Sequence, residues 1–110
     1  MISTAVLVDD LLVGDIVDQA DVARVTGTTP RSVARWLDGA APRRPAEERL
    51  LELKAVVDLL RRVLRDDGAR LWIRSPSPDL GYHKPLDLIA DGEYRRVIGV
   101  ILAIAEGVTA

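Results

Sequence analysis

The sequence predicts an all-α chain, an N-terminal helix-turn-helix followed by a small C-terminal helical domain. Three observations carry this. Apolar residues recur at three- and four-residue spacing, most clearly at Leu50, Leu53, Val57, Leu60 and Leu64. Gly and Pro fall where helices would start or stop, and no stretch alternates as a strand would. The 110 residues suffice for one core or two small lobes sharing it.

In chain order, residues 6–13 are apolar with two Asp and read as helix. Asp18 is an N-cap candidate for a short helix over 19–25, closed by Gly27. Thr29 caps the next, with Pro30 at the first helical position, where its missing N–H costs nothing. That helix runs to about Leu37 and stops at Gly39. Residues 40–45 hold two prolines around Arg43 and Arg44 and read as a stiff basic connector. From Ala46 a long helix follows, widened by a second stripe of Val56, Leu59 and Val63, with Asp66-Asp67-Gly68 expected to break it. Short helices are expected over 69–73 and 85–90, separated by a Pro-rich loop over 75–85. A final helix over 93–105 ends before Gly107. It is apolar most of the way round through Val97, Ile98, Val100, Ile101, Leu102 and Ile104, so it needs cover on two sides. Together with the Leu50–Leu64 stripe, that is more apolar surface than a lone monomer is expected to bury, in keeping with a mean hydropathy of +0.11. Organisation by role divides the chain into 1–45 and 46–110.

Charge is unevenly placed. The formal net charge is −2, but residues 1–23 carry five acids and no base. Residues 24–74 carry twelve bases against seven acids, and 75–110 three bases against five acids. Thirteen of the fifteen bases are Arg, whose fork suits phosphate and carboxylate. With no Cys and one His, neither a disulfide framework nor a Cys- or His-rich metal site is available. His83 has no acid at fixed spacing. Glu93 and Glu106 are too far apart for a carboxylate pair, and Asp66-Asp67-Gly68 lacks the alternating ligands of a cation loop. No catalytic set, metal site or cofactor site is found, so the expectation is a non-enzyme. The longest apolar run is too short to span a bilayer, and no basic region precedes an apolar stretch. The expected location is the cytoplasm, with no membrane partner.

Residues 19–37 read QADVARVTGTTPRSVARWL. A helix-turn-helix needs a small residue inside its first helix (Ala23), a residue tolerant of positive φ in the turn (Gly27), and apolar anchors on both helices (Val22 and Val25, Val33 and Trp36). The outward positions of the second helix are Thr28, Thr29, Arg31, Ser32 and Arg35. With Arg43 and Arg44 just beyond, these are the candidate DNA contacts.

From Leu71 onward the chain reads LWIRSPSPDLGYHKPLDLIADGEYRRVIGVILAIAEGV. Trp72, Pro76, Leu80-Gly81, Pro85-Leu86, Leu88-Ile89, Gly92, Val97, Ile101, Ile104 and Glu106-Gly107 follow the pattern of the toxin-binding domain of the Xre/MbcA/ParS antitoxins. The chain resembles that family over about residues 19–108, and in particular its mycobacterial MbcA branch through SVARW, KPLDLIADGEYRRV and AEGV. It departs at Ser77, where many members have Asn, and at Tyr82, where the loop carries a second glycine. The resemblance implies an antitoxin that neutralises a RES-domain, NAD-consuming toxin by covering its active site, within a type II toxin–antitoxin system. It also implies repression of its own operon by binding promoter DNA, as a homodimer within a larger hetero-oligomer. The candidate toxin contacts are Tyr82, Lys84, Tyr94, Arg95, Glu106, Gly107 and Val108. The alternative is a stand-alone helix-turn-helix transcription regulator without a toxin.

Overall fold

The computed structural model describes residues 2–107, and the fold is all-α. Seven α-helices are present among the described residues: α1 (Thr4–Leu12), α2 (Gln19–Thr26), α3 (Pro30–Leu37), α4 (Arg44–Val63), α5 (Asp66–Ile73), α6 (Pro85–Ala90) and α7 (Tyr94–Ala105). Two 3-10 turns, Val13–Asp15 and Pro78–Leu80, join them. The nearest approach to a strand among the described residues is an isolated antiparallel bridge between Ser77 and His83.

The helix starts follow from caps. Ser3 accepts the Val6 N–H at the head of α1. Asp18 accepts the Asp21 N–H while Asp21 accepts the Asp18 N–H, a reciprocal capping box for α2. Thr29 accepts the Ser32 N–H at the head of α3, with Pro30 in its first turn. Helix α1 runs over Thr4–Leu12 rather than 6–13, and two further boundaries differ from the sequence expectation for a physical reason. Helix α4 begins at Arg44 rather than Ala46, because Pro45 is accommodated in its first turn, where no N–H is needed. Asp66-Asp67-Gly68 does not break a helix but opens α5. The break is made by Leu64 and Arg65 in extended conformation, and the two acids sit where the helix dipole favours negative charge.

Helix α4 is the spine. Leu50, Leu53, Val56, Val57 and Leu60 are all buried, and α4 packs on α1, α2, α5, α6 and α7. Helix α3 lies against α1 and α2, and α6 bridges α2 and α7. One continuous core joins Leu11 and Val22 at the N-terminal end to Ile89, Val97 and Ile101 at the other. The monomer therefore buries the whole α4 stripe except its half-buried edge at Leu59, Val63 and Leu64, more than the composition had suggested. Helix α7 is covered on one side only. Val97 and Ile101 are fully buried, Ile98 is half-buried, and Leu102 remains 45% exposed.

Three arginines tie the middle of the chain to its N-terminal segment. Arg61 Nη2 donates to the carbonyls of Asp10 (2.7 Å) and Val13 (2.7 Å), satisfying the C-terminal end of α1. Arg70 donates to Asp15 O at 2.8 Å. Arg74 donates to Ile16 O at 2.9 Å and to the Asp21 carboxylate at 2.8 Å. Three of the twelve bases in residues 24–74 are thus spent on the N-terminal segment. No helix among the described residues is long and apolar enough to cross a membrane.

Candidate functional site

Helices α2 and α3 meet at a tight turn. Gly27 adopts a left-handed conformation (φ 69°). Its N–H donates to Arg24 O and the Thr28 N–H to Ala23 O at 2.9 Å, the paired bonds of a Schellman end. Val22, Ala23, Val25, Val33 and Trp36 are all buried, so the inner face of the pair is apolar and fixes how α3 is presented.

The outward residues are not equivalent. The Thr26 hydroxyl donates to Val22 O at 2.8 Å and lies 2.8 Å from the Thr28 hydroxyl. Its one hydrogen is thereby used, so Thr28 is the donor of that pair and keeps only acceptor capacity. Thr29 is engaged as the cap of α3 and lies 3.2 Å from the Ser32 hydroxyl. Arg31 and Arg35 are exposed, one turn apart on the same face. Arg35 joins Thr28, Ser32, Trp36 and Arg43 around a pocket of about 310 Å³ between α3 and the 40–43 connector. Four of the seven candidate DNA contacts therefore converge on one concavity, while Thr29, Arg31 and Arg44 stand outside it. Arg44 lies 3.9 Å from Glu48. Among the described residues, Arg31, Arg35 and Arg43 have no carboxylate within 4 Å, a property shared with Arg62, Arg65 and Arg95, whereas Arg24, Arg49, Arg61, Arg70, Arg74 and Arg96 all have one.

The candidate toxin contacts form two groups. The first is a tight loop. The Ser77 N–H donates to His83 O, the Tyr82 N–H to Ser77 O and the His83 N–H to Leu80 O. Gly81 and Tyr82 both have positive φ, 62° and 63°, the signature of a type I′ turn. This explains why glycine suits position 82 and shows that the tyrosine there takes the same backbone shape under strain. Tyr82 is 73% exposed, and Lys84 is exposed beside it at the head of α6. The loop is anchored by buried Ser77 and Leu80, and its 3-10 turn packs on α7.

The second group lies along α7. Tyr94 packs half-buried against the core, and the Arg95 guanidinium stands 5.3 Å from the centre of its ring, a cation–π contact. Glu106 and Gly107 are exposed at the far end, about 18 Å away along a twelve-residue helix. Val108 lies outside the described residues. Leu102, exposed between the two ends, was not singled out as a contact from sequence, although its place in a nearly all-apolar helix was the available signal.

The candidate contacts are outward-facing side chains carried by or beside α3, the 40–43 connector, the 77–83 loop and α7. Among the described residues, no group of three His, Asp or Glu could hold a metal ion. No protein-family model matches the chain. Over 97 residues, 87% of this chain and 78% of the relative, it is 48% identical to the mycobacterial cidal antitoxin MbcA of Mycobacterium tuberculosis, and equally to that of Mycobacterium bovis. It also superposes, at TM-score 0.88, 40% identity and full coverage of both, on a chain of the crystal structure of the M. tuberculosis MbcT–MbcA toxin–antitoxin complex. The chain belongs to the MbcA antitoxin family.

Proposed function

We propose that this chain is the antitoxin of a type II toxin–antitoxin pair, and that it neutralises a RES-domain, NAD-consuming toxin by direct binding that covers the toxin's active site. The observation that carries this is the likeness over its whole length to a chain of a toxin–antitoxin complex. The incomplete cover of α7 supports it, because exposed Leu102 and half-buried Ile98 lie along that helix between the candidate contacts at Tyr94 and Arg95 and those at its far end. In this reading residues 46–110 hold the toxin, through Tyr82, Lys84, Tyr94, Arg95 and the segment from Glu106 to Val108. Residues 1–45 bind the operon's own promoter through the outward face of α3, as a homodimer within the assembled complex in the cytoplasm. The uncompensated charge of Arg31, Arg35 and Arg43 supports the second role, since phosphate contact needs bases free of internal partners.

The test is neutralisation of the co-expressed toxin. Deleting all of α7 would be uninformative, because Val97 and Ile101 are core residues and their loss would unfold the protein. The surface variants Tyr82→Ala and Leu102→Asp change exposed side chains, and removal of residues 106–110 begins after the last residue of α7. Each is expected to reduce neutralisation while the variant still folds, as read by circular dichroism. Full neutralisation by all three would show that toxin binding lies elsewhere.

A further inference from the structure

Resting on the DNA-binding reading above, we propose a division of labour on α3. The pocket between α3 and the 40–43 connector is the seat of one backbone phosphate, held by Arg35 and Arg43. Arg31, outside the pocket, is the residue that reads bases.

The two surfaces have different shapes. A concave site lined by two arginines that have no carboxylate partner among the described residues suits a group that protrudes from its own molecule, and phosphates are the protruding anions of a duplex. The pocket wall is stiff. Pro42 and Ala40 line it, Trp36 forms its floor, and Ala46 anchors the connector in the core. That apolar floor lowers the local dielectric and strengthens the attraction of Arg35 and Arg43 for an anion. Ser32 adds a hydroxyl, which is free to donate when Thr29 donates to it.

Base edges lie at the bottom of a groove and are reached by a side chain that projects. In the first turn of α3, Arg31 is the one exposed, long donor. Pro30 carries no donor, Thr28 has spent its hydrogen on Thr26, and Thr29 is held in the cap. The N-terminal turn is also the part of a recognition helix that comes nearest the bases. A guanidinium there suits guanine, whose O6 and N7 accept two parallel hydrogen bonds.

The experiment measures affinity against salt concentration for the full chain on its own promoter fragment and on a scrambled duplex of equal length. Arg35→Ala and Arg43→Ala are each expected to weaken both duplexes alike and to reduce the slope of log affinity on log salt by about 1. Arg35→Lys restores that slope, because a phosphate accepts a point charge. Arg31→Ala is expected to weaken the promoter by about 10- to 100-fold, with a far smaller effect on the scrambled duplex. Arg31→Lys does not restore the preference, because an ammonium lacks the bidentate fork. If the Arg31 and Arg35 variants lose the same property, or if Arg35→Lys fails to recover the slope, the division is overturned while DNA binding stands. If the unaltered chain does not prefer its promoter to the scrambled duplex, the DNA-binding reading falls and takes the division with it.

Discussion

Asp21 shows how one residue serves two structures. Its carboxylate closes the capping box of α2 and also receives Arg74 at 2.8 Å. Burial pushes its carboxyl up, but the hydrogen bonds from Arg74 and from the Asp18 backbone outweigh that, and its affinity for a proton falls below the ordinary carboxylate range. Arg74 is pushed up in turn, first by its hydrogen bond to Asp21. A carboxyl depressed by folding stabilises the protein above its unfolded value, and that contribution is lost as pH falls through the folded value. Asp21→Asn is therefore expected to cost about 1–3 kcal/mol at neutral pH. The cost should shrink as pH drops below the unfolded carboxylate value of 3.8, as read by urea unfolding at a series of pH values. A penalty independent of pH would show that the charge is not the cause. The capping role of Asp18 could be read from local spacing. The Arg74 partnership could not, since 53 residues separate the pair and nothing local marks which of twelve bases would fold back.

Among the elements, α7 carries the sharpest contrast between neighbours. Ile101 is fully buried and Leu102 is 45% exposed, so adjacent residues of equal size sit in opposite environments. Ile101→Ala is expected to cost about 2–5 kcal/mol through a cavity in the core. Leu102→Ala should change stability by no more than about 0.5 kcal/mol; equal losses in denaturant midpoint would contradict this one-sided cover. The caps and glycines made the ends of α2 and α3 legible in advance, because a left-handed Gly27 and a Thr-Pro start have few alternative meanings. The junction of α4 and α5 was misread for a physical reason. Asp-Asp-Gly serves equally as a helix stop and as an acidic first turn, and the choice was made by the extended backbone at Leu64 and Arg65. Of the candidate site, the residue types and the face of α3 could be anticipated, but the pocket could not. It depends on how the connector folds back on Trp36, which no periodicity encodes.

For the whole molecule, near-neutral charge conceals a distribution with a purpose. Three of the five acids in the N-terminal segment pair with Arg70 and Arg74, while Arg31, Arg35 and Arg43, on and just beyond α3, are among the bases with no carboxylate partner among the described residues. The apolar excess has also been located. The long stripe of α4 is core, and what stays uncovered includes Leu102 on α7 together with Ile2, Val6 and Leu51 toward the N-terminal end. Isolated exposed apolar residues are ordinary on a surface, but a helix as apolar as α7 with one bare side fits a protein completed by a partner. The most direct test adds the purified chain to its proposed partner, a co-encoded RES-domain toxin, and follows NAD turnover. Turnover is expected to fall to background as the chain saturates the toxin, with the two co-eluting as one complex. Undiminished NAD turnover at saturating antitoxin would contradict the account.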